Sequence, residues 1–124
     1  MIVVYIAGPF SAKTRDGVEE NIAKAVQLGI NVAKFGAFPI IPHANTAHPE
    51  FENIQPYEFW IEGTMKLLKQ SDALITVTGW KNSKGAKAEV DWCIDNRKPV
   101  FHRLLSLAEW LPPLSPPDPN TRRP

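Results

Sequence analysis

Two runs of this sequence are apolar on both faces, and they constrain the fold more than any other feature. Residues 2–7 and 73–78 are rich in β-branched side chains, which is typical of strands buried on both sides in a parallel sheet. Shorter runs at 37–41 and 99–102 are interpreted as two further strands. Pro39 lies inside the first of these and favours a position at the sheet edge.

Segments with helical periodicity lie between the predicted strands. Helices are predicted at 18–35, 56–70 and 86–96, followed by a short last helix that Ser106 and Glu109 open as a capping box. The predicted buried face of the first helix consists of Val18, Ile22, Val26, Ile30 and Ala33. Gly36 is expected to end this helix. Alternating strands and helices predict a single-domain, three-layer α/β sandwich with a four- to five-stranded parallel sheet of the flavodoxin or Rossmann type.

The chain has 124 residues, of which 44% are hydrophobic, as expected of one globular domain. We assign that domain to residues 1–111. Residues 112–124 contain six prolines, which favours an extended or disordered tail.

Charge and cysteine content restrict the partners. A formal net charge of +1 gives no reason to expect duplex nucleic acid or an anionic membrane surface. No run approaches the ~20 apolar residues of a membrane span, and the chain begins directly on a strand, so no signal peptide is expected. Cys93 is the single cysteine, which favours a reducing cytoplasm, with Cys93 itself packed inertly in the core.

Ligands of parallel α/β sheets bind at the carboxyl ends of the strands, so the segments 8–15, 42–48 and 79–85 are the candidate ligand loops. Glu89 lies about one turn into the helix that follows the third of these, at the edge of an apolar stripe of Ala86, Val90 and Cys93. A partly desolvated carboxylate there is a competent nucleophile toward an anomeric carbon. The pattern alone favours a surface glutamate on an amphipathic helix.

The loop before this helix has features of a phosphate site. Ser83 is placed as an N-cap, Gly85 allows close approach of a ligand, and the free amides up to Ala86 could bind an anion. An ordinary capped turn has the same sequence features. Trp80 either stacks on a base or covers the core.

Polar groups also follow the first two strands. The loop Gly8-Pro9-Phe10-Ser11 follows the first, and the Tyr5 hydroxyl needs a partner, either a carboxylate or a backbone carbonyl. After the second strand, His43 and Asn45 are interpreted as donors to a sugar or base. His43 and His48 make a poor metal signature without a third ligand, so no metal and no cofactor is expected. Asp72, before the third strand, is a further candidate ligand residue, although its position favours a turn residue at a helix end.

Three stretches together resemble the nucleoside 2-deoxyribosyltransferase-like superfamily, and in particular its small uncharacterised DUF4406-like members. They are Tyr5-Ile6-Ala7-Gly8-Pro9-Phe10, then Pro42-His43-Ala44-Asn45-Thr46, then Ser71-Asp72-Ala73 through Gly79-Trp80 and Ser83-Lys84-Gly85-Ala86 to Glu89. The resemblance implies that Glu89 attacks C1′ of the sugar, that Tyr5 contacts Glu89, and that the 8–11 loop lines the ligand site. It also implies a homodimer or a larger assembly.

Two positions distinguish branches of this superfamily. The transferases carry an aspartate six residues before the glutamate, where this chain has Ser83, as in relatives that hydrolyse deoxynucleoside 5′-monophosphates. Many relatives also carry an aspartate where this chain has Thr64, and Glu62 replaces that acid only if the helix is irregular. The resemblance therefore implies a nucleotide N-glycosidase. The alternatives are a deoxyribosyltransferase, a nucleotide-binding module without turnover, and a metal-dependent hydrolase that uses His43 and His48.

Overall fold

Four parallel strands form the sheet of the computed structural model, which describes residues 1–114, 118–121 and 123–124. They are β1 (Val3–Ala7), β2 (Phe38–Ile40), β3 (Ala73–Thr76) and β4 (Val100–Phe101), in the spatial order β2-β1-β3-β4. Tyr5 pairs with Ile40 on one side and with Leu74 on the other. The parallel α/β architecture is confirmed, and β2, the strand with Pro39, lies at an edge.

Helices cover both faces of this sheet. They are α1 (Arg15–Lys34), α2 (Pro42–Asn45), α3 (Tyr57–Lys69), α4 (Lys84–Asp95) and α5 (Leu104–Trp110), with 3-10 turns at Pro49–Phe51 and Trp80–Asn82. Within the described residues, no helix is both long enough and apolar enough to cross a membrane.

The alternation of side chains along β1 divides the core in two. Val4 and Ile6 pack with α1 and α5, whereas Tyr5 and Ala7 pack with α3 and α4. All four side chains are buried. Because Tyr5 is the polar member of this strand, the layer between the sheet and α4 receives a hydroxyl group that must find a partner.

The predicted face of α1 is partly wrong. The buried residues are Val18, Ala25, Gly29 and Val32, while Ile30 is 45% exposed. Successive steps of four residues rotate by about 40° each around a helix with 3.6 residues per turn, so the predicted row drifts off the core. Gly29 is buried because Ile41 packs directly against it and leaves no room for a side chain.

Two further boundaries differ from the prediction. The segment 42–48, predicted as a loop, contains the helix α2. The last helix begins at Leu104 with Arg103 as N-cap, so Ser106 lies inside it. Leu107 is buried and Leu104 packs against the same core, so the helix must include both, which overrides the capping-box signal.

The tail was predicted to be extended or disordered. Pro112–Leu114 has no helix or strand, and the Leu114 side chain lies against Gly36. Gly36 has a φ of 88° and ends α1, as predicted. Residues 115–117 and 122 lie outside the described residues, so the prediction for the tail, like the 1–111 domain boundary, stays a prediction.

Gly8, directly after β1, has no room for a side chain. A Cβ atom there would lie 2.6 Å from Cβ of Val77 and 2.7 Å from its Cγ2. We expect Gly8→Ala to lower the free energy of unfolding by about 1–3 kcal/mol, because the β1 and β3 ends would have to separate. Gly63→Ala is the control, since nothing lies within 4 Å of that position. Urea unfolding that gave equal stabilities for the two variants would contradict this packing.

Candidate functional site

A cavity of about 610 Å³ opens at the carboxyl ends of the strands, within the size range of small-ligand sites. It is bordered by the β1–α1 loop, α2, the segment that precedes α3, and the first turns of α3 and α4. The chain leaves β1 toward β2 on one side of the sheet, and β3 lies on the other side. This is the switch point at which open α/β sheets bind ligands.

Tyr5 and Glu89 form a hydrogen bond at the floor of this cavity. The Tyr5 hydroxyl donates to Oε2 of Glu89, and both residues line the cavity. Ala86 and Val90 bury the adjoining face of α4, which holds Glu89 at the edge of the core with part of its surface still accessible. Of the two partners considered for Tyr5, the structure therefore provides the carboxylate.

Burial sets the protonation of this pair. Desolvation raises the pKa of Glu89 to about 7, and the hydrogen bond from Tyr5 opposes part of that rise. Desolvation first, and then the neighbouring Glu89 charge, raise the pKa of Tyr5 far above its ordinary value. The phenol therefore stays a donor while the carboxyl ionises near neutral pH, so Glu89 can serve as a nucleophile or as a base.

The first turn of α4 forms one wall of the cavity. Ser83 is its N-cap, as predicted, and accepts a hydrogen bond from the Ala86 amide at 3.1 Å. Within the described residues, the amides of Lys84 and Gly85 have no protein acceptor. These amides carry the positive end of the helix dipole and are suited to an anionic ligand group.

His43 fastens the loop after β1. Its Nε2 atom lies 3.0 Å from the Gly8 carbonyl oxygen and donates to it. Burial lowers the pKa of His43, so the ring is neutral with its proton on Nε2. The Nδ1 atom is buried and has no partner among the described residues. His43 thus shapes the cavity by holding a carbonyl group.

The family of this chain is shown by a comparison with known proteins. A family model described as "Domain of unknown function (DUF7768)" matches residues 2–103. The chain belongs to the DUF7768 family. The DUF4406-like assignment stays a prediction.

The fold of this DUF7768 chain is similar to that of a 2-deoxyribosyltransferase from the psychrotolerant bacterium Bacillus psychrosaccharolyticus. The TM-score is 0.57, and the match covers 79% of this chain and 69% of that chain at 21% sequence identity. At this identity the likeness concerns the fold. No curated protein matches the chain.

Ten of the thirteen residues singled out in the sequence line the DUF7768 cavity: Tyr5, Gly8, Pro9, Phe10, Ser11, His43, Ser83, Gly85, Ala86 and Glu89. The structure does not bring the other three to it. Asp72 lies at the opposite end of the sheet, where it accepts a hydrogen bond from the Val3 amide at 2.8 Å. Trp80 stacks on His102, with ring centroids 5.1 Å apart. Asn45 is exposed on α2 and is not part of the lining.

The resemblance implies an acid on α3, but the described lining of the cavity contains no carboxylate from this helix. Thr64 lines the cavity and donates to the Ile61 carbonyl oxygen at 3.2 Å. Glu62 is exposed and lines a separate groove on the outer side of α3. Because α3 is a regular α-helix, its geometry does not redirect Glu62 into the cavity.

The residues that form the outer wall of the cavity were not predicted from the sequence. Arg15 donates to the Ala47 carbonyl oxygen at 2.7 Å and to Glu52 at 2.8 Å, which ties the segment before α3 to the start of α1. Trp60 donates to the Gln55 carbonyl oxygen at 3.3 Å. These partners lie far apart in sequence or on irregular backbone, so no periodic pattern indicates them.

Within the described residues, no group of three or more His, Cys, Asp or Glu side chains is placed to hold a metal ion. His48 accepts a hydrogen bond from the Glu50 amide at 3.1 Å and so caps a 3-10 turn. His43 is bound to the β1–α1 loop. The two histidines of the metal hypothesis therefore have separate structural roles.

Proposed function

We propose that this protein cleaves the N-glycosidic bond of a nucleoside or deoxynucleoside 5′-monophosphate through a covalent glycosyl-enzyme on Glu89. The observation that carries the proposal is the Tyr5–Glu89 hydrogen bond in a nucleotide-sized cavity. It provides an oriented carboxylate whose pKa is about 7. The fold likeness to a 2-deoxyribosyltransferase supports a chemistry at C1′.

In the first step, a Glu89 oxygen attacks C1′ while the C1′–N bond breaks and its electron pair leaves with the base. The departing base takes a proton from water. In the second step, water attacks C1′ and gives its proton to the hydroxide left by the first step, while the ester bond breaks and Glu89 returns as a carboxylate. Tyr5 keeps the other carboxylate oxygen in place throughout. This is the two-step route of retaining glycosidases.

We assign the leaving-group proton to solvent, because the described lining contains no free carboxylic acid to supply it. Besides Glu89, the acid that lines the cavity among the described residues is Glu52, and it is paired with Arg15. Thr64 occupies the position of the relatives' aspartate and cannot serve as an acid at neutral pH. Proton donation by solvent favours bases that leave readily.

The substrate phosphate is assigned to the start of α4 and the loop after β1. Ser83, at the position where the resemblance implies an aspartate in the transferases, supports a nucleotide hydrolase, and unpaired amides at a helix start suit a phosphate. A homodimer or larger assembly in the cytoplasm is part of the proposal. Tyr57 and Phe59, 52% and 50% exposed beside the cavity, offer an apolar surface for a second copy.

A substitution at Gly85 tests the assignment of the phosphate to the start of α4. A Cβ atom there would meet Ile61, the Tyr57 hydroxyl and Ser83 at 3.5–4.0 Å, which the protein tolerates. We expect Gly85→Ala to leave stability unchanged or raise it by up to about 1 kcal/mol. Its methyl group would occupy the phosphate position and weaken monophosphate binding by about tenfold or more, with little effect on the matching nucleoside. Calorimetric titration of both ligands checks this. Equal weakening of both would contradict the assignment.

The reaction itself is tested with a panel of nucleosides and their 5′-monophosphates, scored for free base. Release of base together with a free sugar phosphate supports the hydrolase. Transfer to an added acceptor base would identify a transferase, and binding without release would identify a nucleotide-binding module. Release that stops on chelation would support the metal-dependent hydrolase.

A further inference from the structure

One side-chain amide holds the loop after β1 from the side of α1. Asn21, in the second turn of α1, donates from Nδ2 to the carbonyl oxygens of Phe10 at 3.0 Å and Ser11 at 3.4 Å. A carbonyl oxygen only accepts, so these bonds fix the orientation of the Asn21 amide. Phe10 and Ser11 line the cavity, and Asn21 lies outside its lining.

The two bonds also determine the direction of the next amides. In a planar trans peptide the C=O and N–H bonds are antiparallel, and the chain contains no cis peptide in its described part. The Ser11 and Ala12 amides are therefore directed away from Asn21, and both residues line the cavity. Neither donates to a protein group within the described residues.

We propose that Asn21 is a positioning residue that turns the Ser11 and Ala12 amides into the cavity, where they bind an anionic oxygen of the ligand. Consecutive amides that point to one side form a nest for anions. Lys13 also lines the cavity, and its charge favours a phosphate over a neutral hydroxyl. The identification of this oxygen with the substrate phosphate rests on the proposed function, whereas the direction of the amides does not.

The test follows the Ser11 and Ala12 amide resonances by NMR while inorganic phosphate, and separately 2-deoxyribose 5-phosphate, is added to the full chain. In the unmodified protein both amides are expected to shift and saturate. Asn21→Asp and Asn21→Leu are each expected to weaken phosphate binding by about tenfold or more. Asn31→Asp is the matched control on the same helix, because Asn31 accepts from Gln27 at 3.4 Å and lies outside the cavity lining.

Two results would overturn the proposal. The first is an absence of saturable shifts at both amides of the unmodified protein. The second is phosphate binding by Asn21→Leu as tight as that of the unmodified protein, in which case weakening by Asn21→Asp would indicate charge repulsion alone. Thermal unfolding of each variant verifies folding, and Asn21→Ser replaces Asn21→Leu if the latter is unfolded. Saturable shifts without release of base would remove the proposed reaction and leave this anion subsite in place.

Discussion

Glu89→Gln is expected to lower the rate of base release by at least about a thousandfold, because an amide oxygen cannot form the glycosyl ester. The fold should persist. A glutamine oxygen still accepts the Tyr5 hydrogen bond, and the substitution removes an ionisable group from a site where burial penalises its charge. Steady-state assay of free base, together with urea unfolding, measures both effects.

Asp91→Asn is the matched control for this substitution. Asp91 lies on the same helix, is exposed, and is not part of the cavity lining. It should retain full activity. Comparable losses in the two variants would indicate a general effect on α4 and would contradict a specific role of Glu89.

The pH dependence of the reaction is expected to follow the ionisation of Glu89. The nucleophile is the ionised form, and its pKa is about 7. Below that pH, kcat/KM should therefore fall about tenfold per pH unit, so that near pH 5 it is about a hundredfold lower than its plateau value. The raised pKa of Tyr5 predicts no alkaline loss from this tyrosine over the ordinary assay range. A phosphate-free nucleoside should show the same acid limb, which separates it from phosphate ionisation near pH 6.

The ionisation of Glu89 also changes the free energy of unfolding, and the direction of that change follows from its pKa. Glu89 has a folded-state pKa of about 7, raised from 4.5, so the folded protein binds more protons than the unfolded chain between these values. The free energy of unfolding should therefore decrease as pH rises from about 4.5 to about 7 and then level off. Glu89→Gln should lack this decrease.

Because the Tyr5 hydrogen bond lowers the pKa of Glu89, Tyr5→Phe should move the acid limb of the rate to higher pH.

The sequence predicted the parts of the fold that depend on local pattern. The apolar runs of β1 and β3, the N-cap at Ser83 and the helix end at Gly36 follow from short-range physical preferences, and the structure confirms them. The face of α1 and the start of α5 depend on which neighbours each helix packs against. Tertiary packing decided both against the local signal.

The candidate site likewise contains contacts that were indicated before the structure and contacts that were not. The resemblance indicated the contact between Tyr5 and Glu89, which lie 84 residues apart, whereas residue pattern alone left the partner of Tyr5 open. The bonds from Arg15 to Ala47 and Glu52 involve isolated polar residues on irregular backbone. Nothing in their spacing indicates a wall of a cavity. His43 was expected to bind ligand, and its role in holding Gly8 becomes visible only in three dimensions.

The most direct measurement of the central claim is a rapid acid quench during turnover, followed by trypsin digestion and mass spectrometry. Cleavage after Lys87 and Arg97 yields a peptide of residues 88–97 that contains Glu89. The account predicts that this peptide gains the mass of the sugar phosphate less one water, with fragmentation placing the group on Glu89 and not on Asp91 or Asp95. Rapid base release with Glu89 unmodified, and with the Glu89→Gln variant fully active, would contradict it.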